Sequence, residues 1–174
     1  MRQKVISLGL GLGFLICTSG LQSIVGGQPQ LRTGAVSLEQ NKAIVRRWIE
    51  EGFNKRDVKV VDDLFVEDFI VNGRKIGREG LKQNMNRHFA AFPDLHVMIA
   101  EIIAEGDKVV IWYTVEGTQK GEFDGVPPTG KKVTWFGADL FRVADGKIVE
   151  ARFVDDSLGR LRQLGATISP PPSQ

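Results

Sequence analysis

The chain has 174 residues, 42% hydrophobic and 25% charged, so it should form one domain with surface enough to bury a core; wholesale disorder and a multi-span membrane protein are excluded. Its formal net charge of +2 supplies no basic field of the kind a nucleic-acid partner requires. The single cysteine, Cys17, rules out an intramolecular disulfide, and two histidines, His88 and His96, are too few for a histidine-rich metal site.

Residues 1–20 read as an export signal. Arg2 and Lys4 precede the uncharged, mostly apolar run Val5 to Ile16, and the small residues Thr18, Ser19 and Gly20 follow; a basic start, an apolar middle and a small-residue cleavage zone define such a signal. The bulky Ile16 beside Cys17 argues against lipoprotein processing. No charge occurs from Val5 to Leu31, and a span needs about 20 apolar residues, so an N-terminal membrane anchor is the alternative. Thr18, Ser19, Gln22, Ser23 and several glycines dilute the second half and favour cleavage near Gly20. Cleavage removes two basic residues and no acid, which leaves 21 of each sign and no cysteine, a chain indifferent to an oxidising compartment. The expectation is a periplasmic or secreted protein without membrane contact after cleavage. Residues 21–36, rich in Gly, Gln and Ser, read as a linker, and residues 166–174 as a disordered tail. The folded domain is then 37–165, without an internal repeat.

Ser37 with Gln40 three residues later matches a capping box, and Ile44, Val45, Trp48, Ile49 and Phe53 recur at helical spacing until Asn54. Asp57 can cap a short second helix carrying Val60, Val61 and Leu64. Phe65 to Val71 is a short apolar stretch. A third helix is predicted over about 78–92, with Leu81, Met85, His88, Phe89 and Phe92 on one stripe, and Pro93 stops it. Beyond Pro93 the period becomes that of strands: 95–104, 108–117, 131–143 and 147–156 are β-branched and aromatic runs. Glu105-Gly106-Asp107 and Ala144-Asp145-Gly146 are the turns of two hairpins, and Gly121 to Gly130 is a longer loop. Helices followed by a strand meander give an α+β fold, with a curved, mainly antiparallel sheet wrapped around the helices and a pocket between them.

A three-residue loop at Ala144-Asp145-Gly146 pairs Val143 with Lys147 and Asp139 with Ala151. One face then carries Val133, Trp135, Gly137, Asp139 and Phe141 and, opposite, Val149, Ala151, Phe153 and Asp155. The other carries Thr134, Phe136, Ala138, Leu140 and Arg142 with Ile148, Glu150, Arg152, Val154 and Asp156. The first face is the more apolar and points inward. Asp139 is its outlier: burial without a partner raises a carboxyl's pKa, which suits a general acid or base, and carboxylic acids do such work in apolar pockets. The alternative is a structural carboxylate paired with Arg152 or bonded to backbone amides. Asp155, at the strand end, and His88, on an apolar helical stripe, are the further catalytic candidates, whereas His96 reads as a solvent-facing strand residue and Asp156 as the cap of a short terminal helix before Gly165. Trp48, Phe92, Trp112, Phe123, Trp135 and Phe153 are the candidates to line an apolar ligand site, with core packing as the default for tryptophan. The glycines of 121–130 lack the lysine pattern of a phosphate loop, and no spacing resembles a zinc or iron site or a Ser/His/Asp arrangement.

Asn41-Lys42-x-x-Val45-Arg46-Arg47, Phe92-Pro93-Asp94-Leu95, Glu105-Gly106-Asp107, Gly117-Thr118 and Gly121-Glu122-Phe123 resemble the SnoaL-like polyketide cyclase, or ester cyclase, family. So do Pro128-Thr129-Gly130-Lys131, Phe141-Arg142, Asp145-Gly146-Lys147-Ile148-Val149-Glu150 and Gln163-Leu164-Gly165. The resemblance covers roughly residues 38–165. It implies the cone of the nuclear transport factor two-like superfamily, shared with ketosteroid isomerases, and dimerisation through the sheet. It also implies ring closure by intramolecular aldol condensation without cofactor or metal. The family's acid/base aspartate ends a Glu-His-Trp-Asp stretch; here that stretch reads Glu150-Ala151-Arg152-Phe153, with phenylalanine at the aspartate position. The partner histidine of the preceding strand aligns with Asp139, and a Gly-Thr-His stretch reads Gly117-Thr118-Gln119. Three functions are therefore open: acid/base cyclisation or isomerisation of a hydrophobic polyketide- or steroid-like carbonyl compound, with Asp139 moving the proton; an extracytoplasmic binding protein for a small apolar ligand; and an interaction module using the outer sheet.

Overall fold

The computed structural model describes residues 30–167. The export signal, Cys17 and the tail beyond Thr167 lie outside the described residues. Among the described residues no helix is long and apolar enough to cross a membrane.

The first helix, α1, is Gln30–Arg47. It starts inside the stretch read as linker, so Ser37 and Gln40 lie within the helix and do not cap it. A Ser-x-x-Gln pattern marks a start only where the preceding backbone leaves the helix, and Gln30–Val36 contains no proline to force that exit. α1 continues into a π-helical segment, Trp48–Asn54. Asn54 closes it by donating to the Val97 carbonyl at 3.0 Å and accepting from the Val97 N–H at 2.9 Å, which ties the helix end to the sheet. Asp57 Oδ1 accepts from Lys59 N–H at 3.0 Å and turns the chain into α2, Val60–Leu64.

Strand β1 is Phe65–Val71 and β2 is Arg74–Lys75. Asn72 and Gly73 join them, both with positive φ, as a tight hairpin turn demands. Helix α3, Gly77–Ala91, then packs back on the sheet. Strands β3 (His96–Glu105), β4 (Lys108–Thr118), β5 (Lys132–Ala144) and β6 (Lys147–Asp155) follow. Helix α4, Ser157–Leu164, ends the fold, its N-terminus capped by Asp156 and its C-terminus by left-handed Gly165. The sheet has six strands in the order β2-β1-β6-β5-β4-β3, antiparallel except for β1 against β6. The α+β architecture and the curved sheet match the reading of the sequence. The core lies between sheet and helices; Trp48, Phe65, Phe69, Met85, Ile111 and Phe141 are each less than 2% exposed.

The β5–β6 hairpin differs from the sequence reading. Its loop has two residues, Asp145 and Gly146, both at positive φ, and Ala144 pairs with Lys147. A register shift between Arg142 and Val143 then makes Arg142 face Glu150 and Val143 face Ile148. Val149 is the extra residue of this bulge. Asp139 therefore pairs with Phe153, not Ala151. The displacement is two residues over most of the hairpin, so the inward face keeps Asp139, Phe141, Ala151, Phe153 and Asp155. Beyond the bulge the alternation reverses: Ile148, expected outward, is fully buried, and Val149, expected inward, is only half-buried.

The outer face of the sheet is apolar over three adjoining rows. Met98, Ile103, Val110, Trp112, Phe136 and Val154 are each 37–65% exposed.

Candidate functional site

Helices and sheet enclose a cavity of about 280 Å³, close to the small end of ligand pockets, which run from about 300 to 1,000 Å³. Trp48, Ile49 and Phe53 of the π-helical segment, Leu81 of α3 and Val115 and Phe153 of the sheet give it an apolar body. Asp139, Asp155 and His88 all line it as well: the three residues that the sequence offered as proton carriers converge on one space.

Asp139 sits on β5 at the floor, only 7% exposed. Its Oδ1 accepts from the Tyr113 hydroxyl at 3.2 Å and from Val154 N–H at 3.3 Å. Arg152 is not its partner. That residue pairs with Leu140 in the ladder and projects from the exposed face. Burial without a cation pushes the Asp139 carboxyl up to about 7; the two hydrogen bonds oppose this and the nearby Asp155 carboxylate adds to it. Tyr113 is half-buried, and burial together with the neighbouring acids raises its pKa, which keeps its proton in place as a donor.

Gly137 makes room for that tyrosine. It faces Tyr113 across the β4–β5 ladder, and a Cβ there would lie 2.4 Å from Tyr113 Cζ and Oη and 2.9 Å from the Val154 carbonyl. Gly137→Ala should push Tyr113 off Asp139 and cost about 1–3 kcal/mol through overpacking. Urea unfolding of the variant checks this, and a midpoint equal to the parent's contradicts the packing described.

Phe153 faces the cavity directly opposite Asp139. Its backbone is held by Asn72, which donates to the Phe153 carbonyl at 3.2 Å and accepts from its N–H at 3.0 Å. Position 153, where the family resemblance puts an aspartate, thus lines the cavity, and the Asp139 carboxyl stands across the strand pair from it. Gln119, at the position of the implied histidine, does not line the cavity. It is fully buried and ties the 119–130 loop together: its Oε1 accepts from the Thr129 N–H and hydroxyl at 3.1 and 2.7 Å, and its Nε2 donates to the Val126 carbonyl at 3.0 Å.

On the helix side, His88 Nδ1 lies 2.8 Å from the Asn84 carbonyl oxygen. Burial lowers the pKa of this imidazole, and the charges of Arg160 and Arg87 lower it further. Asp155, expected at a wet strand end, is instead bound to Ser157 and Arg160. Arg160 reaches back from α4, its side chain only 4% exposed, and also meets Asp124 at 3.0 Å. Its guanidinium lies 4.9 Å from the centre of the Phe123 ring and 5.0 Å from that of Trp135. Arg87 covers Phe123 as well, at 5.1 Å.

Trp48, Phe123, Trp135 and Phe153 line the cavity as expected. Phe92 and Trp112 do not. Phe92 is fully buried and supports the wall from behind, its ring 5.2 Å from Phe123 and 5.4 Å from Trp135. Trp112 stands on the outer sheet face, stacked on Phe136 at 5.3 Å: its neighbours Ile111 and Tyr113 point inward, and successive strand residues take opposite faces. Sequence reasoning passed over Tyr113 and Arg160. Tyr113 was findable from the alternation of Val109, Ile111, Tyr113 and Val115; Arg160 carried no local signal. Among the described residues no group of three His, Cys, Asp or Glu converges closely enough to hold a metal ion.

Comparison with known proteins places these observations. Residues 43–164 match the family model of the SnoaL-like polyketide cyclases. Among solved structures, a protein assigned as a SnoaL-like polyketide cyclase from Jannaschia sp. CCS1 is 30% identical, with a TM-score of 0.69 over 83% of this chain and 100% of its own. AclR of Streptomyces galilaeus, assigned as a hydroxylase, is 29% identical, with a TM-score of 0.68 over 78% of this chain and 91% of its own. IdmH of Streptomyces antibioticus, assigned as a polyketide cyclase, is 29% identical, with a TM-score of 0.65 over 73% and 99%. No curated protein matches the sequence.

Proposed function

The chain belongs to the SnoaL-like polyketide cyclase family, and from that premise we propose that it catalyses acid/base cyclisation or isomerisation of a hydrophobic polyketide- or steroid-like carbonyl compound, without a cofactor. The observation that carries this reading is Asp139: a carboxyl without a cationic partner, held in a cavity whose aromatic and aliphatic body is edged by charged side chains, and pushed up to about 7 by its burial. A proton carrier is most effective when its pKa lies near the working pH, and an ordinary carboxyl does not. Tyr113 orients the carboxyl. Trp48, Trp135 and Phe153 hold an apolar substrate over it and exclude water, which strengthens every charge interaction inside.

Phe153 favours a second reading, an extracytoplasmic binding protein for a small apolar ligand, because it replaces the family's aspartate. One assay separates the two. The parent and Phe153→Asp are incubated with an enolisable β-keto ester of polyketide type, and a cyclised isomer of unchanged mass is sought. Turnover by the parent above the buffer rate supports the enzyme. Turnover by Phe153→Asp alone identifies the parent as a binding protein. We also propose export to the periplasm or the medium, consistent with the signal-like start, and homodimerisation through the outer sheet face, consistent with the exposed Trp112, Phe136 and Val154.

A further inference from the structure

Each wall of the cavity presents a titratable side chain with one atom that has no protein partner. On the sheet, both hydrogen bonds to Asp139 fall on Oδ1, so Oδ2 is the oxygen left to carry the proton of the neutral acid. On α3, His88 Nδ1 is held by the Asn84 carbonyl at 2.8 Å. A carbonyl only accepts, so Nδ1 carries the hydrogen, and Nε2 of the neutral ring keeps its lone pair. Among the described residues the single side-chain polar atom both sealed and unpartnered is Arg160 Nε. Asp139 Oδ2 and His88 Nε2 therefore retain access to open space, and both residues line the same cavity.

We propose that His88 Nε2 is the proton acceptor of the reaction and Asp139 Oδ2 its proton donor, placed on the helix wall and the sheet wall of one cavity around an enolisable ketone. This assignment rests on the acid/base reading above and gives it a direction. In the enolising step the C–H bond next to the carbonyl breaks. Its proton goes to Nε2, its electron pair becomes the carbon–carbon double bond, and the carbonyl oxygen takes the proton of Oδ2. The products are an enol, an imidazolium and a carboxylate. Ring closure reverses both transfers. The enol carbon bonds to a second carbonyl carbon, the enol hydroxyl returns its proton to Asp139, and the new alkoxide takes the proton of His88. The net charge of the site is the same throughout.

The groups around each partner suit these roles. His88 faces Arg87 from its own helix, Arg160 from α4 and Asp124 from the loop, and the Phe123 ring lies 4.9 Å from the imidazole. The two guanidiniums disfavour a resting imidazolium. Asp139 faces Tyr113 of β4 and Asp155 of β6, and the Asp155 charge favours a resting neutral acid.

Two measurements test this. Nitrogen-15 NMR of the wild-type protein at pH 7, with Asn84-bound His88 distinguished from His96 by His96→Gln, should show a neutral imidazole protonated at Nδ1. An Nε2-protonated or cationic His88 overturns the proposal without reference to activity. Deuterium exchange into the α-position of 2-tetralone in D2O, followed by proton NMR, is the second. The parent should exceed the buffer rate, His88→Gln should lower the excess on the order of 100-fold, and His96→Gln should leave it unchanged. The parent's rate should fall as pH rises through 7 and Asp139 loses its proton. Parental exchange in His88→Gln with exchange lost in Asp139→Asn makes Asp139 the sole carrier; the inference falls and the acid/base reading stands. A parent no faster than buffer sinks that reading, and the inference with it.

Discussion

Asp139→Asn should lower turnover on the order of 10²–10⁴-fold with the fold intact. The amide keeps the carboxyl's shape, and its oxygen can still accept from Tyr113 and Val154, which bond Oδ1 at 3.2 and 3.3 Å. What it lacks is the proton that moves. The same variant carries a stability signature. Burial pushes Asp139 up to about 7 in the folded chain, against the ordinary aspartate value of 3.8. Between about pH 4 and 7 the folded state therefore holds a proton that the unfolded state has lost. Stability falls with pH wherever the folded state binds more protons, so the parent should weaken progressively from pH 4 to 8, by up to ~4 kcal/mol from this residue. The depressed pKa of His88 acts the other way, adding stability as pH rises from its lowered folded value up to the ordinary histidine value. Asp139→Asn should remove the first trend and leave the second. Chemical denaturation at pH 4, 6 and 8 reads both. A variant with full activity and an unchanged pH trend would show that Asp139 is neither buried nor catalytic as described. Asp155, bound to Arg160 and Ser157, is then a poorer replacement than His88.

Arg160→Met should destabilise the fold by about 3 kcal/mol. Arg160 joins α4 to the end of β6 through Asp155 and to the 119–130 loop through Asp124. Methionine fills the slot between Phe123 and Trp135 but leaves Asp155 without its cation and Asp124 with only Arg87, at 3.5 Å. Breaking a buried ion pair by removing one partner costs roughly 3–5 kcal/mol. The side chains of Asp155 and Asp124 are 27% and 30% exposed, so water recovers part of this and the lower end applies. The triple variant Arg160→Met/Asp155→Asn/Asp124→Asn should regain part of the loss, because the stranded charges go with the cation. Urea midpoints decide it: a parental midpoint for Arg160→Met would make the pairing energetically idle.

Asn72-Gly73 is a strong hairpin signal lying between Phe65–Val71 and Arg74–Lys75, yet the stretch reads as merely apolar when taken alone. Two residues are too short for β2 to show a period, and β1 finds its main partner in β6, more than seventy residues away.

The motifs of the SnoaL-like family, the three helices before Pro93 and the four long strands after it, and the inward side of β5 and of β6 from Ala151 onward were determined by the sequence itself. Side-chain parity needs only the alternation within a strand, and it survives a register displacement of two residues, so Asp139, Phe153 and Asp155 were legible as cavity residues. The tertiary structure alone decided what stands opposite what. A bulge at Val149 and a two-residue loop set Asp139 against Phe153. Gly137 lets Tyr113 reach Asp139, α4 returns Arg160 to Asp124, and α3 brings His88 to the same cavity. Each of these contacts joins residues far apart in the chain, or depends on one extra residue in a ladder, and neither local propensity nor periodicity carries that information.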